Sequence, residues 1–76
     1  MKALIEYIVR SLAQKPDQAV VQEIENEHSV LFEIRVAPED IGRVVGKHGK
    51  VIKSIRTLTS IVALQNHKQI RVEVVE

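Results

Sequence analysis

Apolar residues near the N-terminus recur every three or four positions, as they do on one face of a helix. This spacing predicts an amphipathic helix that ends at Pro16-Asp17. The apolar positions of this first helix are Leu4, Ile5, Ile8, Leu12 and Ala13.

Two strands are predicted after this helix. Residues 19–24 are apolar enough for a strand but alternate irregularly, whereas residues 30–36 alternate cleanly between apolar and polar side chains. The polar connection Asn26–Ser29 is short, so we expect the second strand to return antiparallel to the first as a hairpin. The apolar side of the second strand consists of Val30, Phe32, Ile34 and Val36.

Two helices and a last strand complete the pattern. Pro38 opens a short helix that runs through Val45, and a longer helix is predicted from about Lys50 to Ala63. Residues 70–74 alternate again and predict a strand. The apolar stripe of the longer helix is expected to be Val51, Ile55, Leu58 and Val62, with Ile52 beside it.

The resulting order, α-β-β-α-α-β, predicts an α+β fold in one domain, residues 1–76. The last strand follows a helical crossover, so it should lie parallel to residues 30–36. Three short strands with one apolar face need cover, and three amphipathic helices packed on that face can supply it. The sheet is therefore expected to be three-stranded and mixed, and its core side to be formed by Phe32, Ile34, Ile70, Val72 and Val74.

The net charge of +1 conceals a strong asymmetry along the chain. Residues 1–42 contain four Lys and Arg against eight Asp and Glu, whereas residues 43–76 contain seven against two. No acidic residue occurs from Arg43 to Val72. Basic charge gathered in one part of a fold is typical of a surface that binds an anionic polymer.

The most informative motif lies inside this basic segment and has the form GxxG, Gly46-Lys47-His48-Gly49. Glycines let the backbone turn sharply and approach a ligand closely. The second glycine begins a helix, whose start normally attracts Asp or Glu but here carries Lys50 and Lys53. A helix start that departs from the charge rule in this way indicates an anion site, and a nucleic-acid phosphate is the expected anion.

Residues 41–52, Ile41-Gly42-Arg43-Val44-Val45-Gly46-Lys47-His48-Gly49-Lys50-Val51-Ile52, resemble the signature of KH domains. The preceding helix and strand, and the final strand, are similar to the type II (prokaryotic) arrangement. The chain resembles in particular the small bacterial KhpA-type proteins, which consist of a single KH domain. The resemblance implies binding of single-stranded RNA, with the GxxG loop gripping about four nucleotides.

The resemblance also implies roles for individual residues. The glycines would let the phosphates approach, nearby cations would hold them, and aliphatic side chains would lie against the bases. The RNA-binding positions predicted in this way are Arg43, Gly46, Lys47, His48, Gly49, Lys50 and Lys53, with Ile41, Val45 and Ile52 beneath the bases. KhpA-like proteins are described as RNA chaperones or regulators that self-associate and pair with a larger KH-containing partner, so a homodimer is expected.

One line of the longer helix is left without a role in the core. It contains Ser54, Thr57, Ile61 and Leu64, in which the small residues would let another helix approach closely. The simpler interpretation is that Ile61 packs under the sheet edge or the first helix. The alternative, a dimer face formed by Ser54, Thr57 and Ile61, is kept as a hypothesis.

Several other classes of protein are disfavoured. A phosphate-binding NTPase loop fails because only three residues separate Gly42 from Gly46 and because His48 stands where Ser or Thr should bind magnesium. No catalytic set can be assembled, and no cofactor or metal is expected. The absence of cysteine and of a long apolar run predicts a cytoplasmic protein without a membrane span. Binding of single-stranded DNA and a protein-interaction module with incidental RNA contact remain the alternatives.

Overall fold

The computed structural model describes residues 1–75, and its elements follow the predicted order. Short 3-10 turns at Pro16–Gln18, Pro38–Asp40 and Lys47–Gly49 join the longer elements. None of the helices in this range is long and apolar enough to cross a bilayer. The elements are α1 Lys2–Leu12, β1 Val20–Glu25, β2 Ser29–Arg35, α2 Ile41–Val45, α3 Lys50–Asn66 and β3 Gln69–Val75.

The three strands form one mixed sheet in the order β1-β2-β3. Strand β1 pairs antiparallel with β2, and β2 pairs parallel with β3, as the hairpin and the helical crossover predicted. The hairpin closes through Asn26, whose side-chain oxygen accepts hydrogen bonds from the backbone N–H groups of His28 and Ser29. The sheet topology is therefore confirmed, and β3 lies at an edge of the sheet.

All three helices pack on the same face of this sheet. Helix α1 contributes Ile5 and Val9 to the core, α2 contributes Val44, and α3 contributes Ile52 and Ile55. The strands contribute the side chains of one face, namely Val21, Val30, Phe32, Ile34 and Val72, with Ile70 and Val74 partly buried beside them. The predicted α+β architecture and the sheet side of its core are confirmed.

The predicted apolar stripe of α3 was partly wrong. Leu58 is 47 % exposed, and the buried line consists of Ile52, Ile55 and Thr59. Thr59 can be buried because its hydroxyl donates to the carbonyl of Arg56 at 2.9 Å. Periodicity alone selects the most apolar line, whereas the rotation of α3 is set by its packing at both ends.

Two helix boundaries and the buried face of α1 also differ from the sequence-based expectation. Helix α3 continues to Asn66, three residues beyond Ala63, and stops where His67 takes a left-handed conformation and donates its N–H to the Ala63 carbonyl. Helix α1 buries Ile5 and Val9, while Leu4 is exposed. The helix predicted to start at Pro38 begins as a 3-10 turn and becomes α-helical at Ile41.

Candidate nucleic-acid interface

The Gly46–Gly49 loop makes a tight turn between α2 and α3. Gly46 has φ of 79°, and His48 and Gly49 are both left-handed, with φ of 57° and 71°. The N–H of Gly49 donates to the Gly46 carbonyl at 3.1 Å and closes the turn. Glycine adopts such angles readily, whereas His48 bears a backbone cost of about 1–2 kcal/mol. The turn leaves the side chains of Lys47 and His48 exposed.

The two glycines of the loop serve different physical purposes. A Cβ at Gly46 would lie 2.4 Å from Val51 Cγ2 and 2.9 Å from Val51 Cβ, so a larger residue would displace the start of α3. A Cβ at Gly49 would meet nothing nearer than 4.0 Å. Gly46 is therefore required both by its backbone angle and by close packing, and Gly49 by its backbone angle alone.

Three lysines surround the loop on its solvent side. Lys47 and Lys50 are exposed, and the Cε atom of Lys53 lies 4.0 Å from the position that a Cβ would take at Gly49. The first turn of α3 contains no acidic residue. Among residues 1–75, no ion pair engages any of these lysines. The lysines and the positive end of the α3 dipole together form a surface that attracts anions.

Three backbone N–H groups of the loop segment are already hydrogen-bonded within the protein. The N–H of Gly46 donates to the Gly42 carbonyl at 2.9 Å, that of Gly49 to Gly46, and that of Lys50 to Lys47. These three donors are satisfied within the protein, so they do not bind a phosphate in this conformation. The lysine side chains must therefore carry a larger share of any phosphate contact.

Arg43, predicted as a phosphate contact, lies on α2 and is paired with an acid. Its Nε atom lies 3.5 Å from Oδ1 of Asp40, and its side chain remains 48 % exposed. Asp40 also accepts the backbone N–H groups of Gln14 at 3.0 Å and Lys15 at 2.9 Å. These two hydrogen bonds, assisted by the charges of Arg43 and Lys15, lower the pKa of the Asp40 carboxyl against the opposing effect of burial. The sequence gives no signal for these contacts, because they join residues 25 and 26 positions apart.

The aliphatic residues predicted to lie beneath the bases divide into two groups. Ile41 and Val45 are half-buried, so each presents apolar surface beside the loop. Ile52 is only 7 % exposed and belongs to the core, as does the fully buried Val44. Ile52 can therefore offer little area to a base in this conformation, because the rotation of α3 turns it toward the sheet.

A groove between α3 and the free edge of β3 was not anticipated from the sequence. Its two sections have volumes of about 520 and 880 Å³ and share Ser60, Ile70 and Arg71. Arg56 lines the smaller section, which is closer to the loop. Its Nε and Nη2 atoms both donate to the Val72 carbonyl at 3.2 Å. We call this feature the edge groove. The predicted parallel crossover implied a free edge at β3, but not which residues of α3 would face it.

The far section of the edge groove lies toward the C-terminal end of α3. His28 and His67, which lie in separate turns, both line this section, together with the exposed Leu64. Lys68 also lines it and is paired with Glu25. Lys47, Lys50 and Lys53 have no ion-pair partner among residues 1–75, whereas Lys68 has one, so the attraction for an anion is greater at the loop.

The hypothesised dimer face lies on the outward side of α3. Ser54, Thr57 and Ile61 are all exposed, and Leu64 continues the same line. Ile61 is 52 % exposed and Leu64 is 80 % exposed, so neither packs under the sheet edge or the first helix. We call the line formed by Ser54, Thr57, Ile61 and Leu64 the outward strip.

Comparison with known proteins agrees with this geometry. The family model "KhpA/KhpB, KH domain" matches residues 2–74. The chain belongs to the KhpA/KhpB KH-domain family. Its α+β architecture, with the mixed sheet and three helices on one face, is accordingly a type II KH fold.

Full-length relatives of this KH domain are found in several bacteria. The RNA-binding protein KhpA of Clostridium acetobutylicum is 43 % identical over 75 residues, which cover 99 % of this chain and all of that protein. The RNA-binding protein KhpA of Listeria monocytogenes is 41 % identical over 76 residues, which cover both chains completely. No solved structure matches the chain.

Within this KH domain, the observed geometry defines what the GxxG segment can do chemically. It offers exposed lysines that are unpaired among residues 1–75, a turn with the exposed side chains of Lys47 and His48, and half-buried aliphatic surface at Ile41 and Val45. Cations beside apolar surface suit a ligand that has both charged and planar apolar parts. A nucleotide chain has this character, with phosphates for the lysines and base faces for the aliphatic residues.

Proposed function

We propose that this chain is a single-stranded RNA-binding protein that acts as one domain, residues 1–76, and grips RNA at the Gly46–Gly49 loop. The observation that carries the proposal is the exposed Lys47-His48 turn at the start of α3, where Lys47, Lys50 and Lys53 are unpaired among residues 1–75 and the first turn of α3 contains no acid. Full-length relatives named RNA-binding protein KhpA support the same function. The protein would act without a cofactor and without catalysis.

In this proposal the phosphates bind along the row of lysines, and the bases face the protein surface. Lys47, Lys50 and Lys53 neutralise successive phosphates, and the glycines let the strand pass close to the backbone. Bases rest on Ile41 and Val45, with only the margin of Ile52 available, and the loop takes about four nucleotides. Further nucleotides can enter the edge groove, which begins one turn of α3 beyond Lys53.

The proposed binding is of modest affinity and has a weak sequence preference. Stacking on aromatic side chains supplies about 1–3 kcal/mol per base in other single-strand binders. Here Phe32 is buried in the core, and Tyr7 is exposed on α1, away from the loop. Aliphatic surfaces supply less energy and discriminate little between bases. This behaviour fits an RNA chaperone or post-transcriptional regulator that acts on many transcripts in the cytoplasm.

A second proposed property is self-association through the outward strip. The exposure of Ile61 and Leu64, beside the small residues Ser54 and Thr57, favours a helix of a second copy or of a larger KH-containing partner. The strip carries no charge, unlike the start of the same helix. RNA held at the loop and a partner held at Ile61 would then contact different parts of α3, whereas Leu64 belongs both to the strip and to the far section of the edge groove.

Replacing Lys47 and His48 together by Asp tests the RNA site. Both side chains are exposed, so the circular dichroism spectrum should be unchanged while RNA binding is lost. The double variant Lys2→Asp with Gln18→Asp is the control, since it makes the same change in charge at exposed positions outside the loop and outside the edge groove. Retained RNA binding in the loop variant would rule out this site.

The salt dependence of wild-type binding tests the proposed contacts independently. Neutralising three or four phosphates of a single strand predicts a log–log slope of roughly −2 to −3. A slope near zero would contradict phosphate binding by the lysines. Competition between RNA and DNA oligonucleotides of the same sequence then decides between the two nucleic acids. If the Asp variants lose RNA binding but keep every cellular role, the assembly function is the principal one.

A further inference from the structure

Asp40 has an unusual position for a charged residue. Asp40 and Thr59 are the buried polar residues among residues 1–75, and the Asp40 side chain has no exposed surface. Burying a carboxylate is costly unless hydrogen bonds and opposite charge compensate it. Although Asp40 precedes the first residue of α2, its side chain does not cap that helix. Its carboxylate therefore serves a purpose other than capping the N-terminus of the helix.

The carboxylate joins two segments that are far apart in sequence. Oδ1 accepts the N–H of Gln14 at 3.0 Å, and Oδ2 accepts the N–H of Lys15 at 2.9 Å. These two residues lie in the connection between α1 and β1. Both oxygens are used, so the carboxylate fixes the start of α2 relative to this connection in distance and in orientation.

Helix α2 is consequently held at two points that lie about one helical turn apart. Asp40 holds its start by polar contacts, and the fully buried Val44 holds it by packing in the core. Gly46 follows immediately after the helix, so the direction of α2 sets the direction of the loop. Because the helix has only five residues, a shift at its start would be passed on directly to the loop.

Asp40 also contacts a cation on α2, Arg43. Arg43 Nε lies 3.5 Å from Asp40 Oδ1, on the same side of the chain three residues later. An arginine side chain is flexible, and an ion pair at its inner nitrogen restricts the directions that the rest of the guanidinium can take. The outer nitrogens remain available because the side chain is 48 % exposed.

We propose that Asp40 is a positioning residue for nucleic-acid binding: it ties α2 to the α1–β1 connection and restricts the direction of the Arg43 side chain. The inference rests on the proposed RNA-binding function and adds to it a residue that never touches the RNA. It assigns to a buried acid a favourable effect on the binding of an anion. This effect is opposite to the one that its charge alone would produce.

The substitution Asp40→Asn tests the inference, because charge alone and positioning predict changes in RNA affinity of opposite sign. This substitution keeps the shape of the side chain and removes one negative charge near the site. Electrostatics alone predicts tighter RNA binding, because the net charge rises by one unit. Positioning predicts weaker binding, by about five- to tenfold, because one N–H of the connection loses its acceptor and Arg43 loses its ion pair. The measurement is the affinity for a short oligouridine at constant low salt.

Glu39→Gln is the matched control. Glu39 is adjacent in sequence, and its side chain is about half exposed and paired with Lys15 at 3.3 Å. The control makes the same change in charge one residue away without disturbing the buried contacts. We expect it to bind oligouridine as tightly as the wild type or more tightly. If Asp40→Asn binds as tightly as Glu39→Gln, the inference is wrong, and if the wild type itself does not bind, the proposed function fails instead.

The role of Arg43 is tested by combining Asp40→Asn with Arg43→Gln. Because both substitutions disturb the same contact, the double variant should lose less affinity than the product of the two single losses. Losses that multiply would show that Arg43 is not oriented by Asp40.

Amide hydrogen exchange of the wild-type protein covers the case in which Asp40→Asn does not fold. Oligouridine should slow exchange at Gln14 and Lys15 more than at Asn26, whose N–H donates to Ser29 in the distant hairpin. Equal slowing at all three amides would reflect only global stabilisation and would contradict a specific link between the connection and the RNA site.

Discussion

The two surfaces of α3 that face solvent have opposite chemistry. At its start, Lys50 and Lys53 stand beside the loop, and the first turn has no acid to balance the helix dipole. Along its outward side, Ile61 and Leu64 are exposed and uncharged. An ordinary surface helix would place acids at its start and charges along its outer face. Both surfaces therefore depart from what the stability of an isolated helix favours.

The departures differ in the kind of ligand that would compensate them. A bound anion would reduce the repulsion between cations and a positive helix end. Another apolar surface would remove exposed Ile and Leu from water. The helix is long enough for both, since 17 residues span about 25 Å. One helix can thus hold RNA at its start and a partner along its side, and each function can be removed without the other.

The largest expected effect comes from Gly46→Ala, which disturbs the junction on which α3 depends. Its Cβ would lie 2.4 Å from Val51 Cγ2, and alanine is strained at φ of 79°. Overpacking and backbone strain together should lower the free energy of unfolding by about 2–5 kcal/mol. Urea denaturation measures this loss.

Gly49→Ala is the matched control for that prediction. It also requires a positive φ, 71°, but its Cβ would enter open space. Its cost should be limited to about 1–2 kcal/mol from the backbone angle. Equal losses in the two variants would show that the contact with Val51 does not distinguish the glycines.

Much of the fold could be predicted from the sequence because each strand and helix has its own local pattern. The clean alternation from Val30 to Val36 set the face of the central strand, and the crossover rule set the direction of the last one. The rotation of α3 was not predictable in the same way. It shows in the burial of Ile52, Ile55 and Thr59 against the rest of the fold, a tertiary arrangement that periodicity does not contain.

The candidate site was predicted less completely than the fold. The glycines and lysines are adjacent in sequence, so their grouping was visible without coordinates. The edge groove joins α3 to β3, and Asp40 joins α2 to Gln14 and Lys15, so these features appear only when distant segments meet. Arg56 could be interpreted as a phosphate ligand or a solubilising charge, whereas it donates to the carbonyl of Val72.

Ile61→Asp tests the apolar side of the comparison. A charge placed in an apolar interface should weaken association by at least about 2 kcal/mol, so a dimer should become a monomer. The stability of the monomer and its RNA affinity should change little, because Ile61 is 52 % exposed and lies outside the loop. Sedimentation equilibrium measures the mass, and Leu4→Asp, at an apolar position on α1 that is similarly exposed (48 %), is the control. An unchanged mass for Ile61→Asp would remove the dimer hypothesis, whichever state the wild type has.

Lys50→Glu tests the charged side, where function and stability should change in opposite directions. The acid should stabilise α3 by about 0.3–1 kcal/mol through the helix dipole. Loss of a phosphate contact and repulsion should weaken RNA binding by about tenfold, or 1.4 kcal/mol. Urea denaturation and oligonucleotide titration measure the two effects.

Lys2→Glu is the matched control, because Lys2 also lies in a first helical turn without acids. It should give a similar gain in stability with little change in RNA affinity. Met1, its neighbour, lines a cavity with Asn66 at the end of α3 opposite the loop. If Lys2→Glu weakened RNA binding as much as Lys50→Glu, general electrostatics would explain the result and the start of α3 would have no special role.

The smallest effect is expected from pH, and it concerns the acid that supports the charged side. The pKa of Asp40 is lowered in the folded protein, chiefly by the hydrogen bonds from the Gln14 and Lys15 amides and further by the charge of Arg43. A lowered pKa means that Asp40 contributes stability above its unfolded pKa of about 3.9, and that this contribution is lost as pH falls through the folded pKa. The wild type should therefore exceed Asp40→Asn in stability at neutral pH, and the difference should narrow in acid. The urea midpoints of both proteins across this range measure it, since the other carboxylates are common to both. A difference that stayed constant down to strongly acidic pH would show that the shape of the side chain, and not its charge, holds α2 in place.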